Sequence, residues 1–123
     1  MKTLFTAAAL ILSVTTANAA SDLLAGGSLF DSNEYATLCS FINLGTANVT
    51  PTSQELIGID SVSSCRNGSP VAPNHGCVIH DKNPLTTQYV VCKVTFSGPA
   101  TDVRGSLQLY DKNSNSLATV ELR

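Results

Sequence analysis

The chain has 123 residues, with seven Lys and Arg against nine Asp and Glu, four Cys and no Trp. That length is one domain by the usual size prior. A net charge of −2 without a basic cluster argues against nucleic acid or an anionic membrane surface as a partner.

The N-terminus predicts a cleavable secretion signal over residues 1–19. Lys2 supplies the positive start, Leu4 to Val14 (LFTAAALILSV) the apolar stretch, and Ala17-Asn18-Ala19 the small-x-small cleavage pattern. The apolar run is about half of the roughly 20 residues a bilayer-spanning helix needs. Ala20, not Cys, follows the cut, so no lipid anchor is implied. A mature domain of residues 20–123 is then expected to be soluble, without membrane insertion, in the periplasm or outside the cell. Loss of Lys2 leaves six basic against nine acidic residues, a net charge of −3.

Downstream, apolar and polar residues alternate repeatedly, the mark of half-buried strands. Leu29-Phe30 reads as a short edge piece. Thr37–Asn43 (TLCSFIN) is apolar on both faces, as a central strand is, and Gln54–Ser61 is a further strand with Gly58 as a bulge or close-approach site. Ser63–Gly76 is the longest irregular stretch, and Val78-Ile79 is a second short edge piece. From Gln88 to Phe96, Val90, Cys92, Val94 and Phe96 share one face, opposite Tyr89, Lys93 and Thr95. Val103–Tyr110 repeats the pattern with Val103, Leu107 and Leu109 inward. Leu117–Leu122 closes a hairpin across the polar turn Asp111–Ser116. About seven strands, with prolines 51, 70, 73, 84 and 99 between them, predict an all-β, two-sheet antiparallel sandwich.

Four cysteines in a small exported chain read as two disulfides. Three connectivities exist in principle, and strand faces select one. Cys92 lies on the inward face of the clearest strand and Cys39 in the other strongly apolar one, while Cys65 and Cys77 flank the irregular stretch. Cys39–Cys92 across the core and Cys65–Cys77 around the loop are the expected bridges.

The segments Leu38–Asn43 (LCSFIN), Tyr89–Val94 (YVVCKV), Asp102–Leu107 (DVRGSL) and Ala118–Leu122 (ATVEL) resemble uncharacterised small exported bacterial proteins. The resemblance implies an immunoglobulin-like sandwich and no activity. The chain departs from true immunoglobulin domains in having no core tryptophan and in carrying Val90 where the corner tyrosine would stand.

Candidate chemistry is sparse. His75 and His80, near Cys65 and Cys77, are the residues that would hold zinc or copper, yet the spacing fits no common zinc pattern and a disulfide removes both thiolates. His80-Asp81 with one of many serines assembles a hydrolytic triad only on paper, since no G-x-S-x-G elbow exists. Asp22, Asp31 and Glu34 cluster near the mature N-terminus, and Asp60, Asp102 and Asp111 sit at strand ends or turns, where Asp is ordinary. Tyr35, Tyr89 and Tyr110 offer a small outward aromatic face, and Arg104 reads as the cross-strand partner of Glu121. Asn48-Val49-Thr50 and Asn67-Gly68-Ser69 are glycosylation sequons, relevant only in a eukaryotic host. The expectation is an exported, non-enzymatic sandwich without cofactor that binds an unidentified protein or envelope partner through its surface. The alternatives are a periplasmic metal-handling protein using His75 and His80, and a small secreted inhibitor or toxin presenting the Cys65–Cys77 loop.

Overall fold

Runs of Val, Ile, Thr and aromatic residues in period-two alternation favour a pleated, half-buried surface, and the longer strands among the described residues follow that pattern. The computed structural model describes residues 20–24, 29–32, 36–82 and 87–123. The signal segment 1–19, Glu34, Tyr35 and Pro84 lie outside the described residues. Nine strands follow in order: β1 (Ser21–Leu24), β2 (Leu29–Ser32), β3 (Ala36–Asn43), β4 (Pro51–Ile57), β5 (Ser61–Ser63), β6 (Gly76–Asp81), β7 (Thr87–Phe96), β8 (Val103–Tyr110) and β9 (Ser116–Leu122).

Two antiparallel sheets result. One has the order β5-β6-β3-β8-β9. The other is built on β7. Residues 93–96 of β7 pair with β1 (Ser21↔Phe96 to Leu24↔Lys93) and also with β4 (Pro51↔Phe96 to Ile57↔Val91), so β7 lies between those two strands. The N-terminal end of β7 pairs with β2, from Leu29↔Val90 to Ser32↔Thr87.

Between the sheets, Cys39, Phe41, Ile79 and Leu107 from one side meet Val90, Cys92, Val94 and Phe96 from the other, all at most 3 % exposed. Phe41 and Phe96 pack edge to face, with ring centroids 5.3 Å apart, a geometry worth about 0.5–1.5 kcal/mol beyond the area buried. Opposite Phe41, position 105 has no room for a side chain. A Cβ there would stand 2.6 Å from the Ser40 carbonyl oxygen, which accounts for the glycine. Both expected disulfides are formed, Cys39–Cys92 between the sheets and Cys65–Cys77 around the loop.

Three expectations are corrected. The stretch read as one strand over Gln54–Ser61 divides, because Gly58 turns the chain at φ 108° and β5 then joins the opposite sheet. Val78-Ile79 is not an edge piece but the middle of β6, which lies inside its sheet between β5 and β3. The polar His80-Asp81 end hid its length. Among the described residues there are nine strands and not about seven, because β1 and β5 are too short to announce themselves by alternation.

A buried polar residue organises one end of the sandwich. Asn43 is fully buried. Its Nδ2 donates to the carbonyls of Ala47 (2.8 Å) and Val71 (3.0 Å), while its Oδ1 accepts from the Gly45 amide at 3.0 Å. Removing such a side chain strands its partners at about 1–3 kcal/mol for each one left buried and unpaired. Asn43→Ala is therefore expected to cost more than about 2 kcal/mol in urea unfolding. Loss of both Cys39 and Cys92 to Ala is expected to cost about 2–5 kcal/mol. The same change at Cys65 and Cys77 should loosen the loop and leave the sandwich folded, a ranking that thermal melts of the two double variants will read.

Candidate functional site

The inner faces are filled by the core, which leaves the outer faces, edges and loops as accessible surface. On the five-stranded sheet the register sets the outward residues in rows. Val78, Ser40, Ser106 and Glu121 form one row across β6, β3, β8 and β9. Gly76, Ile42 and Arg104 form the next. Glycine and serine at the centre leave an open trough of about 710 Å³. Val78 and Ile42, 40 % and 39 % exposed, give it an apolar flank, and Arg104, Thr119 and Glu121 give it a polar one. Val62, 41 % exposed and opposite His80, extends the apolar side toward β5. Short hydroxyls beside exposed aliphatic groups can hydrogen-bond peptide groups while burying apolar side chains.

The expected pairing of Arg104 with Glu121 does not form. Glu121 stands opposite Ser106, and the Arg104 guanidinium instead donates to the carbonyls of Thr101 (2.7 Å) and Val103 (2.9 Å). Backbone carbonyls at the start of β8 lie closer to the guanidinium than a carboxylate on the next strand.

The two histidines are not brought together. His75 is exposed on the turn before β6, with Nδ1 3.0 Å from the Pro73 carbonyl oxygen. His80 lies near the far end of β6, with Nδ1 3.0 Å from the carbonyl oxygen of Asp81. Five steps along the chain, four of them within β6, put their Cα atoms roughly 16 Å apart, too far to share an ion. Both nearby cysteines are in a disulfide. Among the described residues no group of three or more His, Cys, Asp or Glu side chains converges, and no serine hydroxyl is hydrogen-bonded to a histidine ring.

The loop between Cys65 and Cys77 lies back against the sandwich. Val49 and Val71 exchange both backbone hydrogen bonds, at 3.0 and 2.7 Å, the Gly68 amide donates to Pro51, and the Asn74 amide donates to Asn43. Val71 itself is buried in the core. Tyr35 lies outside the described residues, and Tyr89 and Tyr110 do not form a platform. Tyr89 is exposed on β7, whereas Tyr110 is half-buried in the other sheet and hydrogen-bonds Gln108.

Of the acidic residues, Asp111 shapes the β8–β9 turn. Its carboxylate accepts from the Asn115 side chain at 3.0 Å and from the amides of Asn115 and Asn113 at 2.9 and 2.8 Å. These bonds, that of the Asn115 side chain foremost, hold its pKa below the ordinary value. Sequence reading missed Asp81 as an inward residue. It closes β6 on the buried face with Oδ2 unpartnered, and burial raises its pKa against the opposing pull of the Thr37 backbone. A raised folded-state pKa makes the charged form the destabilising one. That contribution is neutral well below the ordinary carboxylate range and weakens the fold as pH rises through the elevated value. Asp81→Asn is expected to flatten this part of the pH–stability curve, so that its advantage over the parent grows from acid to neutral pH in chemical denaturation.

No protein-family model, no curated protein and no solved structure matches this chain.

Proposed function

We propose that the chain is exported, trimmed after Ala19, and acts outside the cytoplasm as a non-enzymatic binding module. It holds a protein partner on the outer face of its five-stranded sheet. The observation that carries this reading is the trough over Ser40 and Ser106. There Ile42 and Val78 are left exposed at the middle of a sheet held rigid by the core behind it. Two intramolecular disulfides suit an oxidising compartment. The separated histidines argue against metal handling, and the loop pinned by its own hydrogen bonds argues against an inhibitor that presents it.

The same reading takes the sandwich as immunoglobulin-like, in keeping with the resemblance to small exported bacterial proteins. In that fold one sheet has the order A-B-E-D, the other C-F-G, and a bridge joins B to F. With β3 and β7 as B and F, chain order makes β4, β5 and β6 strands C, D and E, and their pairings fit. The place of A beside β3 is taken by β8. The place of G beside β7 is taken by the N-terminal β1.

Photo-crosslinking in the native host tests the binding face. A benzophenone side chain at position 106 is expected to give a discrete adduct with one protein, and Ile42→Asp with Val78→Asp should reduce that adduct at least about tenfold while the melting temperature changes little. An equal adduct from position 89, on the opposite sheet, or none from 106, would remove the support for this face.

A further inference from the structure

The two disulfides differ in what can reach them. We propose that Cys65–Cys77 is a thiol-exchange site. The Cys65 sulfur takes an external thiol or dithiol into a mixed disulfide, and the bridge opens while the sandwich stays folded.

Burial separates the two bridges. Cys39 and Cys92 are both 0 % exposed, enclosed between the sheets, so a thiol reaches them only after the sheets part. The second bridge is asymmetric. Cys77 points inward from β6 and is 2 % exposed, whereas Cys65 is only partly buried, two residues past β5, the short strand at the edge of its sheet. Its chain neighbours Ser64 and Arg66 are both exposed. Exposed bridges are the readily reduced ones, and access decides which sulfur is attacked.

Opening this bridge leaves both of its arms anchored. β5 pairs with β6 from Ser61↔Asp81 to Ser63↔Ile79. Beyond β5 the Ser64 amide donates to the Val78 carbonyl at 2.8 Å, and the Val78 amide donates to Ser64 Oγ at 2.9 Å. The Cys65 amide donates to Ser63 Oγ at 3.1 Å, and Gln54 Nε2 donates to the Cys65 carbonyl at 3.2 Å. On the other arm Cys77 stands opposite Phe41 in the register of β6 with β3. Hydrogen bonds on both arms thus hold the two Cα atoms, 5.6 Å apart, at bridging distance. The released thiols stay together and can reclose without a search.

The exchange balances. A thiolate attacks Cys65 Sγ, the bond between Cys65 and Cys77 breaks, and a new S–S bond joins the reagent to Cys65. The electron pair leaves on Cys77 Sγ, which takes up a proton from solvent. The second thiolate of a dithiol then attacks its own sulfur in the mixed disulfide and releases Cys65. The reagent ends oxidised by the two electrons that the bridge has gained. With a monothiol the adduct persists until the Cys77 thiolate attacks Cys65 and expels it.

The test treats the purified, oxidised protein at neutral pH with reduced glutathione, quenches samples over time with N-ethylmaleimide and maps the modified cysteines by mass spectrometry. Glutathione on Cys65 and maleimide on Cys77 of the same molecule are expected. Cys39–Cys92 should open at least about a hundredfold more slowly, because it opens only from the rare unfolded state. Dithiothreitol should free Cys65 and Cys77 in a protein that still melts in one cooperative step, and removing it in air should restore the bridge. Equal rates for the two bridges, glutathione chiefly on Cys77, or loss of the cooperative melt once Cys65–Cys77 alone is open would each overturn the proposal. So would the absence of any adduct under conditions that reduce a urea-unfolded control completely.

Discussion

The structure depends on the covalent link between Cys39 and Cys92, the central strand of one sheet joined to the hub strand of the other. A domain of this size buries only about two thirds of its unfolded surface. This one also has no tryptophan, so its interior is filled by valine, leucine, two packed phenylalanines and the bridge itself. Closing a loop of this length contributes roughly 4 kcal/mol in the chain-entropy account, comparable with the whole stability of a small domain. With β3 and β7 joined back to back, each recruits its neighbours by register, and the faces of every other strand follow.

Local devices then close the ends and one edge. Asn43 and the Val49–Val71 bridge fold the long loop onto one end, where it covers core rather than reaching into solvent. Along β4, the Gln54 amide donates to the Cys65 carbonyl and to Asn67 and accepts from Ser63, tying that edge to the opposite sheet. Polar side chains there take the place of a further strand and blunt an edge that would otherwise pair with another chain. Among the described residues, what stays open is the outer face around Ser40 and Ser106.

Much of the fold was legible because alternation is a direct record of one-sided burial. Val90, Cys92, Val94 and Phe96 could share a face only if that face was the core, and Val103, Leu107 and Leu109 required the facing strand beside them. The same logic selected the disulfide pairing. Legibility failed where the signal is short or mixed. Three residues of β5 cannot establish a period, and His80-Asp81 made the end of β6 resemble a surface loop although Asp81 points inward. Arg104 and Glu121 illustrate a further limit. Opposite charges on neighbouring strands suggested a pair, and the register put serine opposite the glutamate.

The candidate site was less legible still, for the same physical reason. The sequence by itself determined that the domain is all-β, that two bridges staple it, and which face of each long strand is apolar, since those properties follow from nearest-neighbour patterns along the chain. It left undecided which strands lie side by side, because pairing depends on residues far apart in the chain meeting in space. Only the tertiary structure could therefore collect Ser40, Ile42, Val78 and Ser106 into one trough, hold His75 and His80 apart at opposite ends of β6, and set the first strand of the domain against β7. Alternation tells a side chain to face outward. Register alone tells it what it will face outward beside.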